Sequence, residues 1–117
     1  MSFGALVEDV KGVPFQQVRY DFTNYVEFVI DLKYTRDLCL ILERHLGPPL
    51  KPAGKEPSRE ARQYTDPLGG IEKNQVLYCS RQERAAQCVL LWPWADHDYV
   101  TVKIARLLES RRDEKAL

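Results

Sequence analysis

The stretch that most constrains the fold runs from Gln75 to Leu107 and holds the densest apolar content in the chain. Its centre, Cys88 to Trp94 (CVLLWPW), is apolar on both alternations, which is typical of a strand covered on both faces. Tyr99 to Ile104 instead alternates apolar and polar residues, as in a strand with one polar face. A short strand over Val76 to Ser80 can precede them. The pattern predicts three consecutive antiparallel strands, with the middle one inside the sheet.

The turn residues from Ala95 to Asp98 fix the register of the second hairpin, because Asp side chains can hydrogen-bond their own backbone two residues on. A four-residue loop there predicts the pairs Trp94–Tyr99, Pro93–Val100, Leu91–Val102 and Val89–Ile104. Proline cannot donate to a ladder, so Pro93 requires the neighbouring strand to end near Leu91. A symmetric first hairpin then places Cys79 opposite Cys88.

Two segments nearer the N-terminus have helical periodicity. The apolar spacing predicts a short amphipathic helix from Phe3 to Lys11, with Ser2 as its N-cap. A second helix is predicted from Arg36 to Leu46, with Thr35 as its N-cap and Gly47 just past its end.

The segment from Phe15 to Tyr34 allows two interpretations. Apolar alternation favours a strand from Tyr25 to Leu32. A strand from Phe15 to Phe22 could precede it, but a two-residue turn would place the apolar side of that strand on the face of Glu27. One long helix from Phe22 to Leu46 is the alternative.

The composition changes between Gly47 and Asn74, where five of the seven prolines and four of the six glycines lie. Loops this long are uncommon within a compact domain and are usually functional or mobile. Ser58 to Tyr64 could form one or two helical turns capped by Ser58. Residues 109–117 are predicted to be a charged tail.

Together these elements predict a single α+β domain over residues 1–108. Its order is helix, two strands, helix, long loop and three strands. Both helices are expected to pack on a mostly antiparallel sheet of about five strands.

Composition narrows the range of functions. The 117 residues include 17 basic and 17 acidic side chains, so the net charge is zero, which disfavours nucleic acid as a partner. No apolar run reaches the roughly 20 residues of a membrane span. The N-terminus lacks the pattern of a signal peptide. Three cysteines without an export signal fit reduced thiols, so we expect a cytoplasmic protein.

Two candidate chemical sites are disfavoured by their spacing and context. Cys79, Cys88 and His97 could suggest zinc, but His97 would lie roughly 30 Å along the strand from the thiols, so no metal and no cofactor is predicted. Asp96 and Asp98 flank His97 and could support general base catalysis. A solvated hairpin loop is the more usual role for these three residues.

The tryptophan-bearing side of the second hairpin is the most distinctive surface. Trp92, Trp94 and Tyr99 are predicted to share one sheet face. Such a face is usually core, but it would be left for a partner if both helices covered the other face.

The functional expectation is a small cytoplasmic protein-interaction or ligand-binding module of unknown partner, which could be a homodimer. Its predicted binding surface is Trp92, Trp94, Tyr99 and Arg62. The alternative is an enzyme whose site lies between the 47–74 loop and the Trp92 to Tyr99 hairpin. There His97, Asp96 or Asp98 would act as acid or base.

Overall fold

A computed structural model of the chain describes residues 2–82, 84–96 and 98–108. It confirms the predicted α+β class and element order. The elements are α1 (Phe3–Val10), β1 (Gln17–Phe22), β2 (Tyr25–Asp31), α2 (Thr35–Leu46), α3 (Arg59–Thr65), β3 (Val76–Gln82), β4 (Ala85–Pro93) and β5 (Tyr99–Leu108). The strands form one antiparallel sheet in the order β1-β2-β5-β4-β3. The predicted tail at 109–117 lies outside the described residues.

The predicted strand register is confirmed. β4 and β5 pair Pro93 with Val100, and the pairs Leu91–Val102 and Val89–Ile104 follow as expected. β3 and β4 pair from Val76–Leu91 onward, so the pairing ends two residues before Pro93 and β3 requires no hydrogen bond from the N–H that proline lacks. Cys79 lies opposite Cys88.

The strand interpretation of the N-terminal half is also confirmed, and the alternative helix from Phe22 to Leu46 is wrong. β1 and β2 are joined by the two-residue turn Thr23-Asn24, and β2 pairs with β5 along its whole length. The β-branched and aromatic residues of β2 fit a strand buried between two neighbours. The helix begins only at Thr35.

Helices α1 and α2 cover the first face of the sheet. The sheet contributes the buried side chains Val26, Phe28, Ile30, Val89, Leu91, Val100, Val102 and Ile104, and the helices contribute Leu6, Val10, Leu38, Leu42 and Leu46. His45 Nε2 lies 2.7 Å from Asp9 Oδ2 and links the two helices. The carboxylate can only accept, so Nε2 carries the donated hydrogen.

Of the N-caps predicted for α1 and α2, the first is confirmed and the second is wrong. Ser2 Oγ accepts from the backbone N–H of Ala5 at 3.1 Å, which confirms the cap of α1. Thr35 is not an N-cap, because a single 3₁₀ turn over Leu32–Tyr34 leads directly into α2. Asp31 caps that turn, and Thr35 Oγ1 donates back to the carbonyl of Leu32.

The 47–74 segment is an ordered cover for part of the second face. Ser58 caps α3 within it, as predicted, by accepting from the N–H of Ala61. Lys51 fixes its first part to the outer edge of β3 through backbone hydrogen bonds with Leu77. No helix within the described ranges has the length and apolar character to cross a membrane.

Candidate binding surface

The second face of the sheet has a covered part and an open part. The covered part lies on β3, β4 and the end of β5, where Ala61 and Leu68 of the 47–74 segment are buried against strand residues such as Leu90. The open part lies on β1, β2 and the start of β5. This division decides which aromatic side chains can meet a partner.

Five aromatic side chains share the open part: Tyr20, Phe22, Tyr25, Trp94 and Tyr99. Tyr20 stacks on Phe22 with ring centroids 6.0 Å apart and contacts Tyr25 at 6.2 Å. Trp94 contacts Tyr99 at 5.1 Å. Tyr20 is 50% exposed and Phe22 is 64% exposed. We call these five residues the open aromatic surface.

A β-bulge in β1 places two of these rings on the second face. The pairing shifts between Val18 and Tyr20, so Val18 lies opposite Phe28 on the helix-covered face whereas Tyr20 lies opposite Glu27 on the other. A bulge inserts one unpaired residue and re-aims the side chains that follow. Without it Tyr20 would fall opposite Val26, on the other face of the sheet.

A buried carboxylate fixes the centre of the surface. Glu27 is only 7% exposed. It accepts a 2.5 Å hydrogen bond from the hydroxyl of Tyr25, and Arg19 lies 3.8 Å away on its other oxygen. Burial, and secondarily this hydrogen bond, raise the pKa of Tyr25. The Tyr25 ring is therefore tied to the sheet by its hydroxyl.

A pocket of about 300 Å³ adjoins these rings, lined by Gln16, Gln17, Val29, Trp94 and Tyr99. Trp94 forms one of its walls and is held in place by two contacts. Its Nε1 donates to Thr101 Oγ1 at 2.8 Å, and the Arg19 guanidinium lies 5.8 Å from its ring centroid. The pocket thus combines apolar walls with amide groups at its rim.

Trp92 belongs to the covered part. The Lys103 ammonium lies 3.6 Å from its ring centroid and donates to the carbonyl of Leu68 at 2.9 Å. Gly69 approaches the ring with φ +100°, a conformation that favours glycine. Burial lowers the pKa of Lys103. Trp92 is therefore packed beneath the segment.

The structure separates the residues predicted to form the binding surface. Trp94 and Tyr99 lie together on the open part, whereas Arg62 is exposed on α3 in the covering segment. Asp96 and Asp98 are exposed, and the Asp98 N–H donates to Asp96 Oδ1 at 3.0 Å, the turn bond expected from the sequence. His97 lies outside the described residues.

The sequence prediction missed Tyr20, Phe22 and Glu27 as parts of a surface. The signal was present as a conflict, because a tight turn at Thr23-Asn24 set apolar β1 residues on the face of Glu27. The structure keeps that arrangement for Tyr20 and Phe22, which are exposed, whereas the bulge places Val18 on the other face. In the described ranges, no three His, Cys, Asp or Glu side chains are grouped as metal ligands.

No family model matches the chain, and no curated protein or solved structure matches it either.

Proposed function

We propose that this chain is a protein-interaction module that contacts its partner through the open aromatic surface. One observation carries the proposal: Tyr20 and Phe22 are at least half exposed on a sheet face whose other part is covered by the chain's own 47–74 segment. Contiguous exposed apolar surface marks interaction sites, and aromatic side chains are frequent binding anchors. The uncovered part of the face is where a second molecule would pack.

The contact is expected through the face of β1 and not through its edge. Within the described residues, β1 pairs only with β2, so its outer backbone edge is available. However, the bulge at Arg19 interrupts the regular hydrogen-bond ladder that an added strand would need. Bulges and charged residues are common devices against edge-to-edge pairing. The side chains of the face are the better contact.

The pocket beside Trp94 suggests the chemistry of the contact. Its Trp94 and Tyr99 walls favour an apolar or aromatic side chain of the partner. Gln16 and Gln17 offer amide donors and acceptors at the rim. The pocket could instead be occupied by a small ligand or by a second copy of this chain, and the experiment must distinguish these cases.

We also propose that the protein works in a reducing compartment such as the cytoplasm, since the three cysteines are free thiols.

Site-specific photo-cross-linking in cells tests the proposal. A photoreactive phenylalanine analogue replaces Phe22 in one variant and Leu40 in a matched control. Leu40 is 57% exposed but lies alone on the outer side of α2. Position 22 should give a discrete covalent adduct with one protein, and position 40 should not.

The mass of the cross-linked product at position 22 distinguishes a partner protein from a second copy of the chain. A second copy of the chain would give a covalent dimer, which still supports an interaction module. Folded protein that gives no adduct at position 22, or the same adducts at both positions, would show that the surface does not bind a protein.

A further inference from the structure

We propose that Cys79 and Cys88 are a redox modification site at which an intramolecular cross-strand disulfide forms reversibly. The two residues lie directly opposite each other in β3 and β4. Their Sγ atoms are 2.8 Å apart, within an ångström of the about 2.05 Å length of a disulfide bond. This site is independent of the open aromatic surface, because it lies on the covered part of the second face.

The backbone register places the pair in the geometry that a disulfide needs. The N–H and C=O of Leu77 both bond to Lys51, so they point away from β4. In a strand, the N–H and C=O groups of residues two apart point to the same side. Cys79 therefore also points its N–H and C=O away from β4. Cys79 and Cys88 thus form a non-hydrogen-bonded pair. Such pairs have Cα atoms about 4.5 Å apart, within the disulfide range of about 4.4–6.8 Å.

Access to the two sulfur atoms is unequal. Cys88 is fully buried, whereas Cys79 is partly exposed beneath α3. The third cysteine, Cys39, packs on the opposite side of the sheet with the core of the first face. An oxidant therefore reaches Cys79 first, and only Cys88 lies close enough to complete the reaction.

The charged and titratable groups around Cys79 set its pH response. Its hydrogen bond with Cys88, then burial, raise the pKa of the Cys79 thiol, and Glu60 of α3 acts in the same direction. Tyr64 and Arg81 are the other titratable groups nearby. The thiolate is the reacting form, so oxidation is expected to be slow at neutral pH and faster as the pH rises.

The reaction requires a two-electron oxidant, for which a low-molecular-weight disulfide such as oxidised glutathione serves. The Cys79 thiolate attacks one sulfur of that disulfide and releases one glutathione. The Cys88 thiolate then attacks the Cys79 sulfur of the mixed disulfide and releases the second. The protein loses two protons and two electrons, and the oxidant becomes two glutathione thiols.

The test equilibrates the full chain carrying Cys39→Ser with graded ratios of oxidised to reduced glutathione. Acid quenching, alkylation of remaining thiols after denaturation, and intact mass measurement follow. The expected product has lost two hydrogen atoms, carries no glutathione and takes up no alkylating reagent. Its melting temperature should exceed that of the reduced protein, because a cross-link restricts the unfolded chain.

Wild-type protein, treated in the same way, shows how the third cysteine responds to the same oxidant. Cys39 should appear as a thiol or as a mixed disulfide with glutathione, and peptide mapping should find the bond only between positions 79 and 88. The inference is overturned if both thiols of folded Cys39→Ser protein remain alkylatable at the most oxidising ratio. Bonds that join Cys39 to either partner would also overturn it.

Discussion

The hydroxyl of Tyr25 and the carboxylate of Glu27 form the polar contact on which the open aromatic surface rests. Glu27 is only 7% exposed, and its hydrogen bond from Tyr25 is 2.5 Å long. A buried carboxylate is stable only when donors or positive charges satisfy it. Here Arg19 and Lys103 provide the positive charge and Tyr25 provides the hydrogen bond.

Tyr25→Phe should therefore destabilise the protein although it removes only one oxygen atom. Hydrogen bonds to charged groups contribute about 1.5–3 kcal/mol, and we expect a loss in the free energy of unfolding near the lower end of that range. Urea denaturation at neutral pH measures it. Tyr20→Phe is the control, because its ring is half exposed and exposed substitutions usually change stability by less than about 0.5 kcal/mol. Equal losses in both variants would contradict this assignment.

The same pair predicts an alkaline dependence. The pKa of Tyr25 is higher in the folded protein than in the unfolded chain, where it is about 10. Its contribution to stability is fully present below pH 10 and is lost as the pH rises through the higher folded pKa. The stability difference between wild type and Tyr25→Phe should therefore shrink above about pH 10. A constant difference would contradict the raised pKa.

Among the elements, the 47–74 segment determines how much of the second face remains open. Lys51 is 2% exposed, and its ammonium donates to the carbonyls of Lys73 and Gln75. One side chain thus joins the two ends of the segment at the β3 edge. Burial lowers the pKa of Lys51, because it disfavours the charged form of the amine.

Lys51→Met should loosen this segment while keeping most of the aliphatic packing. Two carbonyls lose their donor, and leaving buried polar groups without partners costs about 1–3 kcal/mol. Amide hydrogen exchange should accelerate across residues 54–75 more than in β2 or β5. Lys55→Met, an exposed neighbour in the same segment, is the control. If exchange in 54–75 is unchanged, Lys51 does not fasten the segment.

The sequence predicted the strands better than the surfaces. The Asp-containing turn predicted the β4–β5 register and Pro93 predicted where the β3–β4 pairing ends, because each restricts the backbone locally and leaves few alternatives. The bulge at Arg19 is different, since no local residue requires it and only the pairing with β2 reveals it. The packing of the segment over Trp92 likewise depends on long-range contacts. Trp92 and Trp94 therefore looked equivalent in the sequence although they lie in different environments.

The whole molecule is a sheet with one face packed against α1 and α2 and the other face covered only in part by the 47–74 segment. The uncovered part of such a sheet face contacts either water or a partner molecule. Polar residues would suit water, but Tyr20 and Phe22 are at least half exposed there. The proposed interaction therefore depends on the uneven covering of the second face.

The most direct test of this account is the dissociation constant for the protein cross-linked at position 22, measured with Phe22→Ser and Leu40→Ser variants. Both substitutions remove a large side chain that is more than half exposed, so both proteins should fold with similar stability. The account predicts that Phe22→Ser weakens binding by at least about tenfold, as for an aromatic anchor, while Leu40→Ser binds like the wild type. Unchanged affinity of the folded Phe22→Ser variant would contradict it.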